Sequence, residues 1–377
     1  MRIVVNALSA RLGGGQTYVR NLFAHLPDSN DLEVFIFAPD QLDLPEDHRI
    51  RRVRTNWPTT NPYLRALWER FLLPAFLRRT RADVLFCPGG VVATRVPHRC
   101  RVVTMFRNMM PFDPSVWQRL PFGGQRLRNM LLRRLMLKSL MQADLTIFIS
   151  EYARQVIEAL GRIPNPVTIP HGVGAVFRTH GRAVPRPEFL PRGEYMLYVS
   201  RFDVYKHHYE VVTAYSNLTE SLQSRFALIL AGETNSQEAD RIRSLIEDRR
   251  LVGRVLLLGG VRYLDLPAVY HHAKLNIFAS SCENCPNILL ETLGAGRPVL
   301  SSNVMPMPEF GGDAVHYFSP DDPEDIRRAM EAVLNDEAYA ERLGAAAAER
   351  AKRYDWALTS KKTWASIFSL IERRTEE

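Results

Sequence analysis

Ser280-Ser281-Cys282-Glu283-Asn284-Cys285-Pro286-Asn287-Ile288-Leu289-Leu290-Glu291, closed by Gly294-Ala295-Gly296-Arg297-Pro298, is the stretch around which the chain is organised. A short apolar run, Leu275 to Ala279, leads into it. Pro286 then opens an apolar-periodic segment; proline suits the first helical position, where its missing N–H has no partner to lose. Gly296, with Pro298 two residues on, marks the end. The pattern predicts strand, polar loop and helix, with Glu283 in the loop and Glu291 inside the helix. Backbone N–H groups at such a helix start attract anions, phosphate above all. Two acidic side chains beside it suit a ligand that carries hydroxyls as well as phosphate, a nucleotide-sugar. Taken alone, the pair is met equally by an acid that offsets a helix dipole and a solvated helix residue.

At 377 residues the chain is too long for one compact core and suits two domains. No apolar run approaches the ~20 residues of a membrane span. Met1-Arg2-Ile3-Val4-Val5-Asn6 reads as a first strand and not as a signal peptide, so a cytoplasmic location is expected. Four cysteines in such a chain imply reduced thiols. Cys282 and Cys285 have no second pair at ligand spacing, and Cys87 and Cys100 stand apart, so neither metal nor cofactor is expected. No Asp-x-Asp occurs.

Charge is uneven along the chain. Residues 1–175 hold 24 Lys and Arg against 13 Asp and Glu, and the remainder 25 against 28. All of the net charge of +8 therefore comes from the front half, which should meet something anionic. A membrane surface, a phosphorylated lipid acceptor or an acidic glycan fits. No nucleic-acid motif accompanies the charge, so nucleic acid is not expected.

Ile3–Asn6 predicts a strand, succeeded by the loop Gly13-Gly14-Gly15-Gln16-Thr17 and a helix with apolar residues at Tyr18, Leu22 and Leu26. Strand, glycine loop and helix open a doubly wound α/β domain. Further strands are predicted at 34–38, 83–87, 101–105 and 145–149, alternating with helices, which means a parallel sheet covered on both faces. Two segments mix arginines with exposed-type aromatics: Tyr63–Arg81, and Pro111–Met141 with Phe112, Trp117, Phe122, Arg126, Arg128, Arg133, Arg134 and Lys138. Basic amphipathic helices lie on anionic membranes at about 1 kcal/mol per charge. A core helix with a solvated basic face has the same pattern.

Ser150 caps a helix that begins at Glu151. Val167-Thr168-Ile169-Pro170-His171-Gly172-Val173 ends the first domain, and 178–193, rich in proline and arginine, reads as a linker. The second domain opens with a strand at 195–199, then Ser200-Arg201-Phe202-Asp203-Val204-Tyr205-Lys206. An arginine and a lysine delivered together off a strand suit a pyrophosphate. Further strands are expected at 226–231, 254–258, 275–279, 299–302 and 313–318, and the alanine-rich remainder reads as helices.

Glu283-x7-Glu291 with Pro286 between and Gly-x-Gly-x-Pro after it resembles the acidic signature of the retaining glycosyltransferases of family 4. The order of glycine loop, Ser150-Glu151, Ile169-Pro170-His171-Gly172, Arg201-x4-Lys206, the paired glutamates and Met307-Pro308-Glu309 extends that resemblance over nearly the whole chain. It implies the α/β GT-B fold: two facing doubly wound domains with a cleft between them, at 1–177 and 194–355, joined by 178–193. It also implies a final helix, 356–377, that crosses back to the first domain. The expected reaction is metal-independent transfer of a hexose from a UDP- or GDP-sugar, with retention, to a glycan or lipid-linked acceptor. Cell-envelope polysaccharide or glycolipid synthesis is the implied setting, in the cytoplasm with peripheral contact at the inner membrane face. Glu283, Arg201 and Lys206 carry over as catalytic residues. Gly14, Gly15, Gly232, Val261, Asn287, Ile288 and Glu291 carry over to the donor. Arg107, Asn108, Ser150 and His171 carry over to the acceptor side of the cleft. The chain departs from the family where a histidine usually ends the strand before Arg107, and where two glycines usually precede Pro308-Glu309. A sugar-nucleotide epimerase or hydrolase of the same fold, and an inactive binding scaffold, are the alternatives.

Overall fold

A computed structural model describes residues 1–11, 13–29, 31–114 and 123–375. The expected membrane-facing residues Trp117 and Phe122 lie outside them. The chain divides into two compact units, Met1–His171 with Trp356–Glu377, and Gly172–Asp355.

In the first unit a seven-stranded sheet has the order β3-β2-β1-β4-β5-β6-β7. Its strands are β1 Arg2–Asn6, β2 Glu33–Phe37, β3 Ile50–Arg52, β4 Val84–Cys87, β5 Arg101–Phe106, β6 Leu145–Phe148 and β7 Pro166–Thr168. All its pairings are parallel. The inner strands β4 and β6 are buried at every residue, as a sheet covered on both faces requires. β3 was not expected, because Ile50-Arg51-Arg52 has no apolar run. It is an edge strand, where charge is tolerated and discourages further pairing. The helix Trp356–Thr375 packs in this unit: Trp364 Nε1 donates to Leu22 O at 3.1 Å, and Thr359 Oγ1 to Pro170 O at 2.8 Å.

The second unit holds a six-stranded sheet in the order β10-β9-β8-β11-β12-β13. The strands are β8 Glu194–Val199, β9 Phe226–Ala231, β10 Val255–Gly259, β11 Leu275–Phe278, β12 Val299–Ser302 and β13 His316–Phe318, again all parallel. In both sheets the chain winds outward one way from the first strand and then returns to its other side. The switch points lie between β1 and β4 and between β8 and β11, where open α/β sheets bind ligands at their carboxyl ends.

The division at His171 falls short of the expected boundary at 177, and residues 178–193 belong to the second unit instead of standing apart as a linker. Packing explains it. Thr179 N donates to Gly294 O at 3.2 Å, and a side chain at Gly294 would strike Phe177 O at 2.9 Å. The Phe177 ring lies 5.2 Å from Tyr263 and 6.1 Å from Tyr270. Residues 177–179 are thus fastened to the helix Asn287–Gly294.

Candidate functional site

In the second unit, Arg201, Lys206 and Glu283 leave the carboxyl ends of β8 and β11, the two strands at the switch point. The chain turns from β8 through a short 3-10 segment, Val204–Lys206, whose end is held by Tyr198, its hydroxyl donating to Lys206 O at 2.6 Å. Lys206 Nζ is ion-paired with Glu283 Oε1. Only 8% of the Lys206 side chain and 17% of the Glu283 side chain are exposed, so water screens the pair weakly. The ammonium also lies 5.2 Å over the Tyr205 ring and 5.5 Å over Phe278. Arg201 is placed differently. Its side chain is 74% exposed and donates to Asp203 Oδ2 at 2.7 Å. The two expected phosphate cations therefore divide into a buried one and an exposed one.

Pro286 stands at the cap, and the helix runs from Asn287 to Gly294, one residue later than the sequence pattern places it. Asn287 and Ile288 begin it and are partly exposed; the Asn287 N–H donates to Cys285 O at 2.9 Å. Glu291 lies one turn in. Burial pushes its carboxyl up from 4.5 to about 8, and the hydroxyls of Tyr263 and Tyr270 beside it draw it only part of the way back. Tyr263 and Tyr270 were not picked out from the sequence. Tyr263 comes directly after the turn at Val261, which gives it a positional signal; Tyr270, inside the helix Leu266–His271, has none.

Gly232 has a structural reason for its residue type. A Cβ there would fall 1.9 Å from Ser200 O, so the backbones after β8 and β9 can approach only with glycine. Val261 is partly exposed in the turn after β10.

In the first unit, Gly14 and Gly15 begin the helix Gly14–Ala24 after β1. A Cβ on Gly15 would lie 3.3 Å from Ala10 Cα and 3.4 Å from Arg107 Nη1. Arg107, just past β5, also sits 5.7 Å over the Tyr18 ring. The structure thus brings the glycine loop and Arg107 together, with a guanidinium at a helix N-terminus. Asn108 turns inward on its own backbone, its Oδ1 accepting from Met110 N at 3.2 Å. Ser150 is fully buried and caps the helix Glu151–Glu158 by accepting from Ala153 N at 3.2 Å. His171 is buried between Tyr18 and Trp356, with ring centroids at 5.4 and 5.3 Å.

Among the described residues no group of three or more His, Cys, Asp and Glu is placed to hold a metal. Likewise no helix among them is long and apolar enough to cross a membrane.

Comparison with known proteins agrees along the chain. The family described as "Glycosyltransferase Family 4" matches residues 12–175, and "Glycosyl transferases group 1" matches residues 185–350. The serotype-specific mannosyltransferase WbdA of Escherichia coli is 32% identical over 62% of this chain, which spans only 30% of that protein's length. The O-antigen chain mannosyltransferase B of Escherichia coli is 27% identical over 69% of this chain and 68% of its own. In structure, sucrose-phosphate synthase from Thermosynechococcus elongatus superposes with a TM-score of 0.77 at 18% identity, covering 99% of this chain and 100% of its own.

Proposed function

The chain belongs to family 4 of the glycosyltransferases, with the two parallel α/β units of the GT-B fold, and from that premise we propose that it moves a hexose from a nucleoside diphosphate sugar to a hydroxyl of a glycan or lipid-linked acceptor, with retention. The observation that carries the proposal is the buried Lys206–Glu283 pair at the β8–β11 switch point, beside the start of a helix that holds Glu291 one turn in. The names of the relatives favour mannose as the hexose and the bacterial cell envelope as the setting.

The chemical task is to stabilise charge on the departing diphosphate, an electrostatic task best met by preorganised cations and N–H groups. Lys206, Arg201 and the N–H group of Ile288 suit it without a metal. A donor phosphate would compete with Glu283 for Lys206, leaving the Glu283 carboxylate to accept from sugar hydroxyls. Glu291 would hold the ribose. We propose front-face attack, in which the leaving phosphate helps to deprotonate the acceptor.

The first unit supplies the acceptor side in this reading, with Arg107 in place of the family's histidine. Membrane contact is supported by the helix Gly124–Gln142, whose Leu127, Met130, Leu131 and Leu135 are exposed along one face among arginines. Tyr63, Leu67 and Phe71 form a second exposed row at four-residue spacing. Flotation with vesicles tests it: anionic vesicles should carry the protein, and equal binding to neutral vesicles would count against it.

The donor reading is tested by thermal stabilisation with GDP, UDP, ADP, CMP and dTDP. A ligand at 100 times its dissociation constant adds about 2.7 kcal/mol. One diphosphate should stabilise the wild type, and Lys206→Ala should sharply reduce the shift. Stabilisation by none of them would defeat the reading. Donor consumption without acceptor would point to the epimerase or hydrolase alternative.

A further inference from the structure

We propose that His207 is a positioning residue of this donor site: its ring fixes Lys206 and Glu283 relative to each other without itself touching the donor. The inference rests on the donor-site reading above. His207 is the residue immediately after Lys206 and has φ of +54°, in the left-handed region where a side chain is disfavoured unless its surroundings hold it. Glycine would take this backbone without strain. A fully enclosed imidazole stands there instead, with none of its side chain exposed.

The ring bridges two loops. Its Nε2 lies 2.8 Å from Ser281 Oγ. Ser281 Oγ in turn lies 3.3 Å from Tyr205 O and can only donate to that carbonyl, so it accepts from His207 Nε2–H. The Ser281 backbone N–H also donates to Tyr205 O at 2.9 Å. Ser281 is two residues ahead of Glu283, and Tyr205 is one ahead of Lys206. On the ring's other side, Nδ1 is 3.6 Å from Glu210 Oε2 and 3.6 Å from Asp321 Oδ1. Asp321 belongs to the loop after β13. One side chain therefore ties the segment that leaves β8 to the one that leaves β11, and these two carry Lys206 and Glu283; Asp321 and Glu210 lie alongside the ring without a hydrogen bond to it. The neighbouring His208, by contrast, serves packing: it is stacked between Tyr198 and Phe202 at 4.6 and 4.3 Å.

The test measures GDP and UDP affinity by calorimetry, together with Tm, for wild type, His207→Gly, His207→Asn, Ser281→Ala, Lys206→Ala and the double variant His207→Gly with Lys206→Ala. His207→Gly keeps the backbone conformation and removes the ring. We expect it to weaken diphosphate binding about tenfold, with Ser281→Ala in the same direction. His207→Asn should recover part of the loss, since asparagine tolerates the left-handed region and can still donate. In the Lys206→Ala background His207→Gly should cost no further affinity, while its effect on Tm persists. That split separates positioning from simple support of the fold. An affinity within about twofold of wild type in both His207→Gly and Ser281→Ala, or the same loss with and without Lys206, overturns the proposal. Should His207→Gly fail to fold, Ser281→Ala, which leaves φ and ring intact, decides it. Wild type that binds neither GDP nor UDP, nor any of the other nucleotides named above, overturns the donor-site reading and this inference together; bound wild type with unaffected variants overturns this inference alone.

Discussion

The two units share one architecture and use the carboxyl ends of their strands in opposite ways. In the second, the residues that leave β8 and β11 turn charged side chains toward each other, as Lys206 and Glu283 do, and keep them from water. In the first, two of the residues carried over from the family are committed to the fold. Ser150 caps a helix, and His171 is packed between aromatic rings. Gly15 and Arg107, in contrast, come together as groups that could face a ligand. In the proposed reading the buried Lys206–Glu283 pair at the switch point is binding machinery, whereas the capping by Ser150 and the packing of His171 have a structural explanation.

The sharpest break of that contrast is Lys206→Ala. Loss of a preorganised cation on the leaving group should lower transfer by about 10²–10³-fold, measured as sugar-nucleotide turnover with a membrane extract as acceptor source. It also leaves the mostly buried Glu283 without its partner, so Tm should fall unless Glu283→Gln is added. Turnover within tenfold of wild type would remove Lys206 from the chemistry.

His171→Ala tests the other side. If the ring is packing, its loss should destabilise the chain by about 3 kcal/mol, while nucleotide affinity in the surviving folded protein stays unchanged. Wild-type stability with lost transfer would instead make His171 a ligand-facing group and erase the difference between the units.

Much of this was legible in the sequence where the periodicity and the chemistry coincide. The loop from Ser280 and the helix to Gly294 could be read because Pro286, the apolar repeat and Gly296 all punctuate the same element. Arg201 and Lys206 were legible as a pair, but not their unequal fates, since exposure depends on Asp203, Tyr205 and Phe278 around them. Edge strand β3 was hidden because two of its three residues are arginines. The end of the first unit was misplaced because the proline-rich composition of 178–193 says nothing of Phe177 and Thr179 holding to a helix more than a hundred residues ahead. Tertiary contacts of that kind leave no local pattern.

Arg107→Ala sharpens the comparison by a smaller step. If Arg107 acts on the acceptor side, transfer should fall about tenfold, with GDP or UDP affinity unchanged within error, because the cations proposed for the diphosphate lie in the second unit. A matching loss of diphosphate affinity would assign Arg107 to the donor phosphates instead, together with the N-terminus of the helix from Gly14.

The finest test is Glu291→Gln, read against pH. Burial raises the folded carboxyl from 4.5 to about 8, so across that window the folded chain keeps a proton that the unfolded chain has released. The stability Glu291 contributes is therefore whole at low pH and is lost as pH rises through the window. Glu291→Gln, neutral throughout, should flatten that part of the Tm profile. Ribose hydroxyls donate more strongly to a carboxylate than to its acid, so nucleotide affinity should run the other way and rise with pH toward about 8 in wild type. Binding should also release a proton, seen as a buffer-dependent heat, and Glu291→Gln should lose both effects. If the stability slope vanishes in the variant but nucleotide binding keeps its pH dependence, Glu291 is a buried acid of the second unit and the ribose is held elsewhere.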